Sequence, residues 1–472
     1  MEKIANLTIP KPEKKKFVMP DTYVIIIILI IFMVAMTYII PAGTYDYAKD
    51  GKTIIADSFH FVDRNPAGLS DFLNSFFKGM QQGASTIFLV FLIGGAFQIL
   101  TDTGTIDAVL SLTVQKTKSN YVLIFPAIIV VMSVLGALGV GNNVALAFAP
   151  ILIILCRKLR LDPIVVVGAM YLASNTGFST SPMNPFTVLL GQDISGIPQM
   201  SGMFPRSIMW VIFTSVVIWW ILRYCKRILA NPSKSYMGIY ELDPNDAEED
   251  KAMHGLVKMK LSHIINLLIL IGVFVVYAYG GIKFNWGLST LGAAMMVLAF
   301  STGIIGRLGA NQMAKSFIKG AQVMVYSALL IGFASAINVI MSDANIIHSV
   351  IYYLTLPLVK LPTAIAAVGM FISNFLFNFF VCSGSGQCYV VMPICAPAAD
   401  VLHFSRQVAV SAYQLGDGLC NSLIPTSGLL MGTLGIAKVP YDKWLKFAFP
   451  VTMILAGISA VFLIIMTLLG WS

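Results

Sequence analysis

Between Tyr23 and Ile40 the chain runs for eighteen residues without a charged side chain, and runs of this kind recur to its end. Crossing about 30 Å of hydrocarbon at about 1.5 Å per helical residue takes roughly 20 apolar residues. That length rule places full spans near 22–41, 82–102, 163–190, 205–225, 262–281, 285–306, 320–342, 406–436 and 445–470. In lipid each segment has to satisfy its own backbone N–H and C=O groups, so the spans read as α-helices. Composition agrees: 57% of the 472 residues are hydrophobic and 11% charged, with a mean hydropathy of +0.82, far outside the range of a soluble globular domain. The Lys-rich start (Lys11, Lys14, Lys15, Lys16) and the first apolar run have the outline of a signal peptide. The run's length, the lack of a small-residue cleavage site and the spans that follow favour a retained anchor.

Two apolar stretches break the length rule. Tyr121–Leu138 leads into Gly139-Val140-Gly141-Asn142-Asn143 and then only about a dozen apolar residues before the basic run Arg157-Lys158-Leu159-Arg160. A dozen helical residues reach about 18 Å, too short to cross. Pro362–Val381 repeats the arrangement, with Ser383-Gly384-Ser385-Gly386-Gln387 followed by a short arm to Ala399. Both read as re-entrant hairpins with polar, Gly-rich tips, against the alternatives of a kinked long helix or a tight turn outside the membrane. Irregular backbone at that depth is tolerated only against protein or a water-filled cavity, so the tips are expected to line a site.

An internal repeat supports the hairpins. Phe76–Leu110 aligns without gaps on Phe317–Ile351 at an offset of 241, pairing Phe76 with Phe317, Lys78 with Lys319, Gly79 with Gly320, Gln81 with Gln322 and Asp102 with Asp343. Farther on, Gly141/Gly384, Pro150/Pro393 and Pro182/Pro425 pair at an offset of 243. With the N-terminus inside, 23 of the 31 Lys and Arg fall on the cytoplasmic side, as the positive-inside rule asks. Counting spans then inverts one half relative to the other. The predicted fold class is therefore an all-α polytopic membrane protein with about nine transmembrane helices and two re-entrant hairpins in two inverted repeats. The first repeat covers 1–225, with an inner hairpin at 120–156; 226–284 holds a cytoplasmic linker and an extra span; the second covers 285–472, with an outer hairpin at 362–400.

After each hairpin comes a span whose middle is unlike a membrane helix: Ser174-Asn175-Thr176-Gly177-Phe178-Ser179-Thr180-Ser181-Pro182, and Gly416-Asp417-Gly418-Leu419-Cys420-Asn421-Ser422-Leu423-Ile424-Pro425-Thr426. Gly and Pro free backbone groups there, and hydroxyl and amide side chains can complete a ligand's shell. Helix halves starting at such breaks face anions with N–H groups, and those ending there face cations with carbonyls. A single hydroxyl more often bonds its own helix, but four clusters at repeat-related positions point to one substrate site. Its candidates are Gly141, Asn142 and Asn143 from the first tip, Ser174, Asn175 and Thr176 from the first break, Ser383, Ser385 and Gln387 from the second tip, and Asp417, Asn421, Ser422 and Thr426 from the second break. Asp417 stands opposite Ser174 at the 243 offset, so a charge breaks the pseudo-symmetry. A cationic substrate head, a coupling sodium or proton, or a structural bond to backbone N–H groups could each compensate it.

Other function classes find little here. The charge of +9 comes from short loops rather than one folded surface, which argues against nucleic acid. Six cysteines in or beside apolar segments lack paired metal-ligand spacing and read as small core residues, and five scattered histidines show no HExxH-like spacing, so no metal site or membrane enzyme is expected. Asp102 and Asp343, near helix ends, read as interfacial caps. The closed tips argue against an ion channel.

The order of hairpin, broken helix, linker and second half, with Gly-Val-Gly-Asn-Asn at 139–143, Ala-Ser-Asn-Thr-Gly at 173–177 and Cys-Ser-Gly-Ser-Gly-Gln at 382–387, resembles the YfcC/DcuC carriers of the ion transporter superfamily over nearly the whole chain. The resemblance implies a dimeric, elevator-type secondary carrier in a bacterial inner membrane, with hairpins and broken helices moving against a fixed scaffold. The superfamily's Ser-Asn-Thr triplet occurs here at Ser174–Thr176 rather than at the tips. The family includes dicarboxylate carriers and members resembling arginine/ornithine exchangers. Asp417, and the lack of Lys or Arg in tips and breaks, favour a basic amino acid over a four-carbon dicarboxylate. No cofactor is expected beyond a coupling ion.

Overall fold

The computed structural model describes residues 22–47, 55, 58–116, 120–139, 145, 149, 152–153, 155–156, 159–237, 257–284, 286–356, 359–379, 381–425 and 427–471. Nearly all regular structure among them is helical. The helices are α1 (Thr22–Ile39), α2 (Leu69–Gln82), α3 (Ala84–Asp102), α4 (Thr105–Lys116), α5 (Tyr121–Ala137), α6 (Ile164–Val167), a π turn (Gly168–Leu172), α7 (Ala173–Thr180), α8 (Val188–Ile194) and α9 (Met203–Ala230). After the linker come α10 (Leu261–Phe284), α11 (Leu288–Ile305), α12 (Ala310–Val323), α13 (Val325–Asp343), α14 (Ile347–Thr355), α15 (Thr363–Phe377), α16 (Gly384–Val401), α17 (Arg406–Cys420), α18 (Gly428–Ile436) and α19 (Tyr441–Leu468). The fold is that of an all-α polytopic membrane protein.

Helix lengths repeat between the halves. α2 and α3 recur at an offset of 241 as α12 and α13, and the 18 residues of α1 match the 18 of α11, as the 28 of α9 match the 28 of α19. α10 has no counterpart of this kind, and residues 40–68 form an insertion absent between α11 and α12. The repeat-related glycines Gly79 and Gly320 serve equivalent crossings. α2 lies on α13 with a Cβ on Gly79 only 2.4 Å from the Gly332 carbonyl oxygen, and α12 lies on α3 with a Cβ on Gly320 only 2.1 Å from the Gly94 carbonyl oxygen. Small residues let these backbones touch, which is how helices associate without a hydrophobic drive between them.

Four described helices are long and apolar enough to cross a membrane: α3, α9, α11 and α19. Two of the other expected spans are interrupted. The run at 163–190 contains a π turn, ends its helix at Thr180 before the extended Ser181 that Pro182 imposes, and resumes at Val188. The run at 406–436 breaks at 421–427. Asp102 and Asp343 end α3 and α13 but act as side-chain partners: Gln98 donates to Asp102 at 2.7 Å, and Lys78 to Asp343 at 2.7 Å beside a cavity of about 320 Å³ lined by Asn65 and Asp71.

Polarity is distributed inside out relative to a soluble protein. Ile28, Phe32, Leu268, Val275, Val461 and Leu468 are exposed on α1, α10 and α19, whereas every residue from Gln407 to Cys420 on the polar α17 is buried. A lipid solvent explains both.

The insertion at 40–68 caps α14. Gly43–Thr44 pairs antiparallel with His60–Phe61, Phe59 stacks on Tyr352 at 4.2 Å, and His348 Nδ1 accepts from the Tyr45 backbone N–H at 3.2 Å while Nε2 lies 3.2 Å from the Tyr47 hydroxyl. Accepting at Nδ1 requires a neutral imidazole, and burial holds the His348 pKa below its ordinary 6.5. Because the folded value is the lower one, the stabilisation is full above about pH 6.5 and is lost as pH falls through it. Protection factors at the amides of Gly43–Tyr47 and His60–Phe61, exchange rates corrected for their intrinsic pH dependence, are expected to fall as pH drops below about 6.5, and His348→Gln is expected to flatten that dependence.

Candidate functional site

Glycines decide how the two broken helices meet. A Cβ on Gly177 would lie 1.8 Å from the Ser133 carbonyl oxygen and one on Gly136 1.9 Å from that of Ser174, so α5 and α7 pack backbone to backbone. Gly416 does the same for α17 against α15, where a Cβ would lie 2.8 Å from the Phe375 nitrogen. Gly418 closes α17 on α7, its missing Cβ 2.1 Å from the Cβ of Ser179. Each contact leaves no room for a side chain, so the polar middles of both broken helices lie side by side.

Amide side chains tie the breaks together. Asn175 Nδ2 donates to the Gly418 carbonyl at 2.6 Å and to Ser422 Oγ at 2.8 Å. Asn378, the C-cap of α15, donates to the Asp417 carbonyl at 2.8 Å and to Asn421 Oδ1 at 3.0 Å, and Cys382 Sγ reaches the same Oδ1 at 3.1 Å. Tyr171, carried by the π turn, donates to the Asn421 carbonyl at 3.0 Å and meets Ser427 Oγ at 2.9 Å. Gln414 Nε2 holds the Ser181 carbonyl at 2.8 Å, and Ser181 Oγ caps the end of α5 through the Ala137 carbonyl at 2.8 Å.

The start of α16 completes the arrangement. Ser383 is its N-cap, accepting from the Gly386 N–H at 3.3 Å, and Tyr413 donates to the Gly384 carbonyl. Gly384 carries no side chain because three groups crowd it: a Cβ there would lie 2.7 Å from the Phe178 ring, 2.9 Å from Thr187 Cγ2 and 3.4 Å from Asp417 Oδ2. The Asp417 carboxyl thus sits beside the first turn of a helix. The residue has no exposed surface, and neither oxygen takes a hydrogen bond from a described residue. Thr187 Oγ1, Asn378 Oδ1 and Gln387 Oε1 are likewise buried without a partner among the described residues. No group of three or more His, Cys, Asp or Glu able to hold a metal occurs among the described residues.

The family model for DcuC, described as C4-dicarboxylate anaerobic carrier, matches residues 19–468. The chain belongs to the DcuC family. Among curated relatives of this DcuC-family chain, "Putative basic amino acid antiporter YfcC" of Escherichia coli (strain K12) is 33% identical, covering 99% of this chain and all of the relative. Two solved structures share the fold. The YdaH transporter of Alcanivorax borkumensis has a TM-score of 0.70 at 14% identity, covering 96% of this chain and 99% of its own. MtrF of Neisseria gonorrhoeae, titled as one of a class of antimetabolite efflux pumps, has a TM-score of 0.72 at 16% identity over 95% of each chain. This DcuC-family protein is a membrane transporter.

The residues singled out in the sequence take different places in the structure. Asn175, Asp417, Asn421 and Ser422 come together as described. Ser174 is buried on α7, its carbonyl against Gly136. Thr176 donates to the Leu172 carbonyl at 2.6 Å, a bond within its own helix segment. Ser383, Ser385 and Gln387, read from the sequence as a loop tip, instead form the cap and first turn of α16; α15 ends at its C-cap Asn378. Ser385 is buried, and Gln387 donates to the Asn374 carbonyl at 2.9 Å. Gly141, Asn142, Asn143 and Thr426 lie outside the described residues. Sequence reading passed over Tyr171, Asn378 and Gln414, and took Cys382 for a small core residue. Asn374 and Asn378, four residues apart at the end of an otherwise apolar helix, were the available signal for one of them.

Proposed function

We propose that this protein is a secondary active exchanger of basic amino acids such as arginine and ornithine, with Asp417 as the counter-charge to the substrate's cationic group. One observation carries the reading: both Asp417 oxygens are buried without a hydrogen bond from any described residue. Intramembrane acids mark substrate or ion paths, and a guanidinium or ammonium brings the donors that this carboxyl lacks. The name of the E. coli relative points the same way. A dicarboxylate, the substrate in the family's description, would find the N-terminal end of α16 suited to an anion, but with Asp417 beside it.

The site comprises Asp417, Asn175, Asn421, Ser422, Ser383, Ser385 and Gln387, joined by the Gly141–Asn143 tip, Ser174, Thr176 and Thr426. The reading includes an elevator motion in which the hairpins and broken helices, α5–α8 and α15–α18, with α9 and α19 packed on them, shift against α1–α3 and α11–α13. Its support is that each set packs mainly within itself and that the halves repeat in helix length. A homodimer in a bacterial inner membrane, with a cytoplasmic N-terminus and the C-terminus outside, completes it on the strength of the loop charges and the family resemblance.

Thermal unfolding of the purified protein with arginine, ornithine, succinate and fumarate tests the substrate. A ligand at about 100 times its Kd adds about 2.7 kcal/mol, so the basic amino acids are expected to raise the melting temperature and the dicarboxylates to leave it unchanged. Stabilisation by dicarboxylates alone rejects the reading.

A further inference from the structure

If Asp417 meets a cationic substrate, its state in the empty carrier becomes a question of charge. The titratable groups that act with the carboxyl are Tyr413, Tyr171, Cys388 and Cys420, all neutral near pH 7, and no Lys, Arg, His or second acid among the described residues acts on it. Tyr413 and Tyr171 direct their hydroxyls to the Gly384 and Asn421 carbonyls, and Cys382 directs its thiol to Asn421 Oδ1. An ionised carboxylate left bare at this depth costs several kcal/mol, so something must neutralise it before the site moves through the membrane.

Sodium needs several oxygen ligands at once. Among the nearby oxygens the Gly418 carbonyl accepts from Asn175, the Asp417 carbonyl from Asn378, and Asn421 Oδ1 from both Asn378 and Cys382, while Thr187 Oγ1 and Asn378 Oδ1 have no partner among the described residues. A proton needs one carboxyl oxygen, and Asp417 has two without a partner.

We propose that Asp417 exchanges a proton for the cationic substrate: the carboxyl holds either a proton or the substrate's ammonium or guanidinium group, and never both. The step balances, because one proton leaves the carboxyl as one monovalent cation binds and the charge within the site is unchanged. The carrier then crosses neutral in both directions, with a proton in one and the cation in the other. This rests on the basic-amino-acid reading above.

Arginine is added to the purified full-length protein in weakly buffered detergent solution, and proton release is followed with an indicator dye. About one proton per arginine bound is expected on the acid side of the carboxyl's titration, with the apparent affinity weakening about tenfold per pH unit lowered there. Asp417→Asn is expected to release none; should that variant not fold, the pH series on the unmodified protein decides alone. Arginine binding without proton release and with the same affinity between about pH 5 and 9 overturns the proton exchange and leaves the substrate reading standing. No binding of any basic amino acid overturns both.

Discussion

Gly177→Ala is expected to abolish the folded transporter. The added methyl would stand 1.8 Å from the Ser133 carbonyl oxygen, a backbone atom in the middle of α5 that cannot swing aside as a side-chain tip could. Relief requires α5 and α7 to separate, which also removes the reciprocal contact of Gly136 with the Ser174 carbonyl and disturbs the Ser133–Thr214 hydroxyl pair at 2.9 Å that joins α5 to α9. Overpacking of a dense interior costs about 1–3 kcal/mol where side chains can adjust, and here they cannot, so the expected penalty lies above that range. Fluorescence-detected size exclusion checks it: the variant should lose the monodisperse peak. Gly369→Ala supplies the contrast. Gly369 lies on α15 with nothing within 4 Å of its would-be Cβ, so the better helix propensity of alanine should leave stability unchanged or raise it by up to about 1 kcal/mol. Equal stability of the two variants would refute the α5–α7 contact.

The same glycine chemistry explains how much of the molecule could be read from its sequence. The repeat was legible around Gly79/Gly320 because those two positions face equivalent helix crossings, which demand the same small residue in both halves. The matching of α1 with α11 and of α9 with α19 was not legible, because lipid-facing helices need only apolar character and keep no identities. At 382–387 the composition misled. Ser-Gly-Ser-Gly reads as a loop, yet Ser383 caps α16 and Gly384 is a helical residue whose missing side chain makes room for Phe178, Thr187 and Asp417. Thr176 shows the opposite ambiguity: a hydroxyl in a broken span can be spent on its own helix, and only coordinates separate that from an outward-facing donor. Asn378 was overlooked because two amides one turn apart, Asn374 and Asn378, match no ligand pattern by themselves, although Asn378 ties the end of α15 to Asp417 and Asn421. Asp417 was legible because a charge in the middle of a membrane span is costly enough to need a reason.

Asp417→Asn is expected to weaken binding of arginine by about 30-fold or more while leaving the fold intact. The lower bound follows from truncating one partner of a buried charge pair, which costs about 2–5 kcal/mol. Asparagine keeps the volume of the side chain, so its place 3.4 Å from where a Cβ on Gly384 would stand is preserved and the backbone carbonyl that Asn378 holds at 2.8 Å is untouched. What changes is charge and donor count. The amide offers two N–H groups where the cation requires an acceptor, and it lies beside the N–H-rich start of α16, where an oxygen is favoured. Asp417→Glu separates charge from geometry. It retains the negative group but adds a methylene toward Gly384, Phe178 and Thr187, so binding is expected to fall between the parent and the Asn variant. Calorimetric titration of arginine into the three proteins, each first shown to be monodisperse, gives the order parent, Glu variant, Asn variant. Unchanged affinity in a folded Asn variant means that the carboxylate does not meet the substrate, and its burial is then structural.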